Sequence, residues 1–361
     1  MAIQSLPTNP VGVYWPNFGS VVRLSSYPDI VTDGSSGFNV MILFSAYPEE
    51  GGGGSTGAVT YIQGGMSADA WNNRVADIAT IRARGQIVLL SVGGAGRQVY
   101  VTSQARADAL VDSLITIISS LGEIDGIDWN NFELGGSDPV YMTYASLRLK
   151  DHYGSGFLIT APPAAFALSA PPAQGGSDRL MMATMHRGGT YGNYTGSALD
   201  WVCPQHYDGI NQVANIRNSL NFYDDTITVD ASALLGTASA SVAIPSSKLG
   251  VGFGMQTPQL LSQYGQAVYD GYWTPANAIS AYTTIKSERG TLRGAFNWSA
   301  HLDLTDIFPA NLGPTINPEA GGGGGNTTLT TVKKINGLLV VAVKKINGIL
   351  VSAVKSWNGK Q

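Results

Sequence analysis

The chain has 361 residues, of which 44% are hydrophobic and 13% charged, with a formal net charge of -4. That is enough apolar material for one large barrel or two ordinary domains, and it supplies neither the basic stripe of a nucleic-acid binder nor an acidic tail for a cationic partner. The single cysteine, Cys203, excludes an internal disulfide framework and any multi-cysteine metal site, and is expected as a small core residue.

In chain order, the first residues (Met1-Ala2-Ile3-Gln4-Ser5-Leu6-Pro7) lack the basic patch, apolar run and cleavage site of a secretory signal, and no stretch is long and apolar enough to span a bilayer. Up to about residue 310, β-branched and aromatic runs alternate with helical patterns, the layout of a parallel α/β sheet. Strands are predicted over 11–18, 39–46, 86–92, 124–130, 156–161, 201–206, 248–254 and 294–299. Helical spacing relates Trp71, Val75, Ile78 and Ile81 within 67–85, and Leu110, Leu114, Ile117 and Ile118 within 102–121. Thr274-Pro275 reads as a capping residue followed by proline at the first helical position. Eight strands with helices between them predict a (β/α)8 TIM barrel whose site lies in the strand-end loops.

The fourth strand runs into Ile124-Asp125-Gly126-Ile127-Asp128-Trp129-Asn130-Asn131-Phe132-Glu133. Two acids in an apolar strand are expected either to be hydrogen-bonded inward or to serve chemistry, because an unpaired buried charge costs several kcal/mol, roughly. The stretch resembles the glycoside hydrolase family 18 signature, Asp-Gly-x-Asp-x-Asp-x-Glu, in which the final Glu is the general acid. The match holds at Asp125, Gly126 and Asp128; the third acid is Asn130, the Glu position holds Phe132, and Glu133 comes one residue later. Four further stretches extend the resemblance over the first 310 or so residues. Ser91-Val92-Gly93-Gly94 is similar to the family's Ser-x-Gly-Gly, where glycine lets the backbone pass close under the substrate. Thr160-Ala161-Pro162 is similar to Met-Ala-Pro, Gln205-His206-Tyr207-Asp208 to Gln-x-Tyr-Asn, and Asn297-Trp298-Ser299 to the Trp-Ser that floors the sugar pocket.

The resemblance implies a chitinase or endo-β-N-acetylglucosaminidase type of barrel, in which the substrate's own acetamido oxygen is the nucleophile. It implies a sugar site containing Tyr207, Trp298, Gln205, Asp208, Gly93 and Gly94. An Asn in place of the third acid can still hydrogen-bond the acetamide but carries no charge. By strand alternation, positions 128, 130 and 132 share a face and Glu133 falls on the other. A one-residue bulge after Asp128 would instead place Asn131 and Glu133 in the orienter and acid roles beside Asp128 and Asp125. No cofactor or metal is expected: His152, His186, His206 and His301 are scattered, and His206 is read as a hydrogen-bonded core residue.

After Pro318 the chain changes character. A glycine run from 321 to 325 predicts a flexible linker over 319–331, closing a barrel domain over 1–318. Residues 332–361 then repeat with a period of eleven, Val-Lys-Lys-Ile-Asn-Gly, twice in full and once as Val354-Lys355-Ser356-Trp357-Asn358-Gly359. An eleven-residue period also suits a right-handed coiled coil, but a glycine in every unit and the many valines favour strands turning at Asn336-Gly337, Asn347-Gly348 and Asn358-Gly359. So small a tail needs company, from the barrel or from copies of itself, for instance as a trimer. It is similar to the C-terminal tails of bacteriophage minor tail proteins. The expectation is therefore a structural component of a virion tail, whose barrel is catalytically inactive or weak and binds an N-acetylated glycan of the host envelope. Its other partners would be tail proteins, with no nucleic acid and no membrane span; outside a virion the location would be cytoplasmic. The alternatives are an active retaining hydrolase with Glu133 as acid, and a lectin-like intracellular protein.

Overall fold

The structure, a computed structural model, describes residues 3–19, 21–27, 37–49, 56–122, 124–130, 136–165, 172–303 and 307–316, together with the backbone of 331–335 and 338–342. Eight parallel strands form the centre: β1 (Val11–Pro16), β2 (Val40–Pro48), β3 (Ile87–Gly93), β4 (Gly126–Asn130), β5 (Leu158–Ala161), β6 (Trp201–Val202), β7 (Val251–Phe253) and β8 (Ala295–Asn297). They pair in the order 7-8-1-2-3-4-5-6, and bridges Val202↔Leu249 and Gln205↔Gly252 join β6 back to β7. The result is the expected TIM barrel, with every predicted strand in place and most of them shorter than predicted.

Helices follow the strands: α1 (Ala68–Ala83), α2 (Gln104–Leu121), α3 (Pro139–Tyr153), α4 (Pro172–Arg187), α5 (Val213–Asp224), α6 (Pro275–Arg289) and α7 (Ile307–Ile316). Their starts are written in local chemistry. The side chains of Ser67, Ser103, Asp138 and Thr274 each accept a backbone N–H of the first turn, and proline follows directly at Pro139 and Pro275. In α1 the apolar stripe is narrower than its spacing suggests: Ile78 and Ile81 are buried, whereas Val75 is exposed.

Strand alternation divides the core into two layers. Outward residues such as Val13, Leu90, Ile127, Trp129 and Ile159 pack beneath the helices, and Trp129 donates its indole N–H to Ser146 of α3 at 2.9 Å. Inward residues, among them Tyr14, Ile42, Leu89, Leu158, Trp201, Cys203 and Phe296, fill the barrel. Cys203 is thus the buried core residue expected of it. Gly126 is required by the same packing, since a Cβ there would collide with the Leu158 carbonyl. His206 is fully buried against Ser219 (2.6 Å), and burial pushes its pKa down to about 3.

The chain divides into two compact units, Met1–Gly321 and Gly322–Gln361. Within the second unit, Thr331–Ile335 and Leu338–Ala342 pair antiparallel, from Thr331↔Ala342 to Ile335↔Leu338. That register brackets Asn336-Gly337 as a two-residue connection. The linker and the later repeats lie outside the described residues.

Candidate functional site

The register of three adjacent strands builds the centre of the site. Ser91 on β3 pairs with Asp128 on β4, which pairs with Thr160 on β5, so the three side chains point inward side by side. Asp128 is buried and accepts three hydroxyl hydrogen bonds: Tyr14 at 2.7 Å and Ser91 at 3.0 Å on Oδ2, and Thr160 at 2.6 Å on Oδ1. None of these donors carries charge. Burial therefore dominates and lifts the carboxyl from the ordinary 3.8 to about 6, against the downward pull of the three bonds. The same burial, with Asp128 beside it, pushes the Tyr14 phenol well above its ordinary range.

The β3–β4 pairing continues without a bulge to Gly93↔Asn130. Asn130 thus stands on the inward face two residues beyond Asp128 and is itself buried. The regular pairing leaves no bulge between Asp128 and Asn130, so the inward position that the rescue required for Asn131 is held by Asn130. Asn131 and Glu133 themselves lie outside the described residues.

Asp125 has a different place. It precedes β4 at the amino-terminal end of the barrel, fully buried, where Arg82 grips both carboxylate oxygens (2.8 and 3.1 Å) and the backbone N–H groups of Gln4 and Val88 complete its shell. Its place among the catalytic residues is corrected by this geometry: it locks α1 and the N-terminal segment to the sheet, and the substrate end of a barrel is the opposite one.

Above Asp128 the carboxyl ends of β1, β2, β6 and β8 gather an aromatic floor. Trp298, half-buried, lies 5.4 Å from Tyr14 and 4.9 Å from Phe44, centroid to centroid. Tyr207 is nearly parallel to it, 6.5 Å away at 11°. The Tyr207 hydroxyl donates to Gln205 Oε1 at 2.7 Å, and Gln205 Nε2 donates to the Pro162 carbonyl at 2.6 Å. Asp208 is exposed, adopts φ 56°, and accepts from the Tyr272 hydroxyl. Tyr272 in turn packs on Tyr207 at 5.8 Å. The sequence therefore brought Tyr207, Trp298, Gln205 and Asp208 to one end of the barrel with Asp128. Gly93 and Gly94 also lie there; both have positive φ, and a Cβ on Gly94 would strike the Phe44 ring.

Tyr14, Phe44, Phe18, Tyr272 and Arg97 belong to this end as well and were not singled out by motif. For Tyr14 and Phe44 the usable signal is parity, since each is an inward position in the carboxyl half of a barrel strand. Among the described residues no group of three His, Cys, Asp or Glu side chains converges as a metal set. No described helix is long and apolar enough to cross a membrane. Chemically, the site offers an apolar platform suited to a sugar face, one buried carboxylate whose pKa burial lifts to about 6, and amide and phenol groups suited to polar substituents.

No protein-family model matches the sequence. Chitinase Chi52 of Paenibacillus xylanexedens is 28% identical over 171 residues, 42% of this chain and 29% of that protein, so the chain spans under a third of its length. Endochitinase 37 of Trichoderma harzianum is 25% identical over 253 residues, 66% of this chain and 69% of that one. Among solved structures, a family 18 chitinase from Chromobacterium violaceum superposes with TM-score 0.61 at 17% identity, covering 88% of this chain and 85% of its own. The fold is that of the family 18 chitinases. The same fold is shared by a xylanase and alpha-amylase inhibitor protein from Scadoxus multiflorus, with TM-score 0.54 at 15% identity over 86% of this chain and 98% of that one. The chitinase fold thus carries both hydrolases and a protein named for inhibition.

Proposed function

We propose that the open end of this chitinase-like barrel binds an N-acetylated hexosamine glycan of a host cell envelope with little or no hydrolysis, and that the chain is a structural component of a bacteriophage tail. The binding half rests on one observation: Tyr14 packs on Trp298 and donates to Asp128, coupling an aromatic floor to a buried carboxylate. An amino sugar laid on Trp298 would present its acetamide to Asp128, Asn130 and Tyr207.

Loss of turnover is supported by the inward, buried Asn130, which holds the place of the charged residue nearest the acid in the family signature. An amide can orient an acetamide but cannot offset the positive charge of an oxazolinium intermediate, a loss on the order of 10² or more in rate. The sequence also has Phe132 where the signature has its acid. The tail role is supported by the glycine run and the eleven-residue repeat, whose first unit forms an antiparallel hairpin. A lone hairpin leaves its faces uncovered, so copies of the tail are proposed to close on one another as a trimer, alongside other tail proteins. Sedimentation of the full chain tests that state, with a monomer as the contrary result.

A second reading, a working retaining hydrolase with Glu133 as acid, is favoured by the complete hydroxyl shell of Asp128 and by relatives named as chitinases. Chromophore release from N-acetylglucosamine oligomers separates the two, with an active chitinase as control. Silence of the wild type where the control turns over supports a binding barrel. Turnover that disappears in Glu133→Gln establishes the hydrolase.

A further inference from the structure

Arg97 lies just beyond β3, past Gly93-Gly94, at the same end of the barrel as Trp298. Among the described residues, its guanidinium is held in place by neutral groups. Nη1 donates to Asn17 Oδ1 at 2.9 Å and to Ser45 Oγ at 3.3 Å, and the charge sits 4.8 Å from the centroid of Tyr47 and 5.7 Å from those of Phe18 and Phe44. No carboxylate of the described residues lies within ion-pair distance of it. Arg82 grips Asp125, Arg148 bridges Asp108 and Asp112, and Arg217 meets Glu288, whereas Arg74, Arg106 and Arg179, like Arg97, bond neutral groups among the described residues.

What distinguishes Arg97 is its position. Phe44 and Phe18, the rings beside the guanidinium, are the same rings that pack on Trp298, at 4.9 and 6.5 Å. The cation is therefore one aromatic ring away from the sugar floor, half-buried, with Nε and Nη2 making no bond to the described residues. Burial lowers its pKa, yet an arginine stays protonated under any ordinary condition. A partly desolvated, pre-oriented fork of this kind is suited to a planar carboxylate arriving with a ligand, and far less to a neutral hydroxyl.

We propose that the glycan bound at this site is anionic, an N-acetylated chain carrying carboxylates, and that Arg97 receives one carboxylate while an adjoining amino sugar lies on Trp298. This deepens, and rests on, the glycan-binding reading above. The carboxylate has two sources in such chains: an acidic ether substituent on the amino sugar itself, or an alternating uronic acid.

Titration calorimetry with three tetrasaccharides tests it at low salt and at 0.5 M salt, on the full chain: neutral N-acetylglucosamine tetramer, peptide-free alternating N-acetylglucosamine and N-acetylmuramic acid, and alternating N-acetylglucosamine and glucuronic acid. The expected result is that at least one carboxylated chain binds tenfold or more tighter than the neutral one, by the usual strength of a charge-assisted bond. Whichever chain does so names the source. High salt should reduce that preference, Arg97→Gln should bring the ratio to about one, and Arg97→Lys should keep part of it, with thermal melts confirming that both variants fold. Equal binding of neutral and carboxylated chains by the wild type overturns the anionic inference and leaves the glycan reading intact, as does a preference that survives Arg97→Gln. Binding of none of the three overturns both.

Discussion

Two aspartates three residues apart, one just before β4 and one within it, meet opposite surroundings. Asp125, at the amino-terminal end of the barrel, is clasped by the Arg82 guanidinium and two backbone N–H groups. Asp128, further up and on the inward face, has three neutral hydroxyls and, among the described residues, no cation in ion-pair reach, and burial lifts its pKa to about 6. The first arrangement makes an ionised carboxylate useful to the fold; the second holds one at some cost, which a fold tolerates where a ligand is to be met. Residue type does not distinguish the two. Their height along the chain and the face each occupies do.

The largest effect expected from breaking this contrast is at Asp125. Asp125→Ala removes the bidentate partner of a buried arginine and should cost on the order of 3–5 kcal/mol in urea unfolding. At Asp128 the effect should depend on pH. Its folded-state pKa near 6 lies above the ordinary 3.8, so its contribution to stability is fully present below about pH 4 and is lost as pH rises through 6. Relative to Asp128→Asn, the wild type should therefore lose on the order of 3 kcal/mol between pH 4 and 7. Burial depresses the pKa of His186, His206 and His301, which gives the opposite slope, but that slope is common to both proteins and cancels in the difference. A flat difference across the window contradicts the assignment. The smallest effect is expected for Tyr14→Phe, about 1 kcal/mol. Losing one donor to the carboxylate should move the Asp128 midpoint to higher pH, which carboxyl resonances followed by NMR would detect.

The barrel was legible because its strands are compact apolar runs, several set off from a helix by a capping residue, and both signals are local. The centre of the site was legible in part. Asp128, Tyr207 and Trp298 lie in short motifs at strand ends, where the barrel architecture says a site should be. Tyr14 was not legible, since its partner is 114 residues away in sequence and the pairing exists only once the strands are arranged around the interior. Arg97 escaped notice for a related reason: an arginine in a loop reads as solvated until the rings of Phe18, just past β1, and of Phe44 and Tyr47 on β2 are assembled around it. What crowds Gly94 is the Phe44 ring, which no linear pattern reveals.

The most direct measurement is a calorimetric titration of N-acetylated tetrasaccharides, neutral and carboxylated, into the wild type and into Trp298→Ala, with mass spectrometry of the sugar recovered from the cell. A glycan-binding barrel without turnover should give saturable binding of at least one of them by the wild type, affinity reduced at least tenfold by loss of the indole, on the order of a stacking contact, and intact tetrasaccharide at the end. No heat of binding with any of them, or binding indifferent to Trp298, would contradict a sugar site at this end of the barrel, and recovery of cleaved sugar would contradict the loss of turnover.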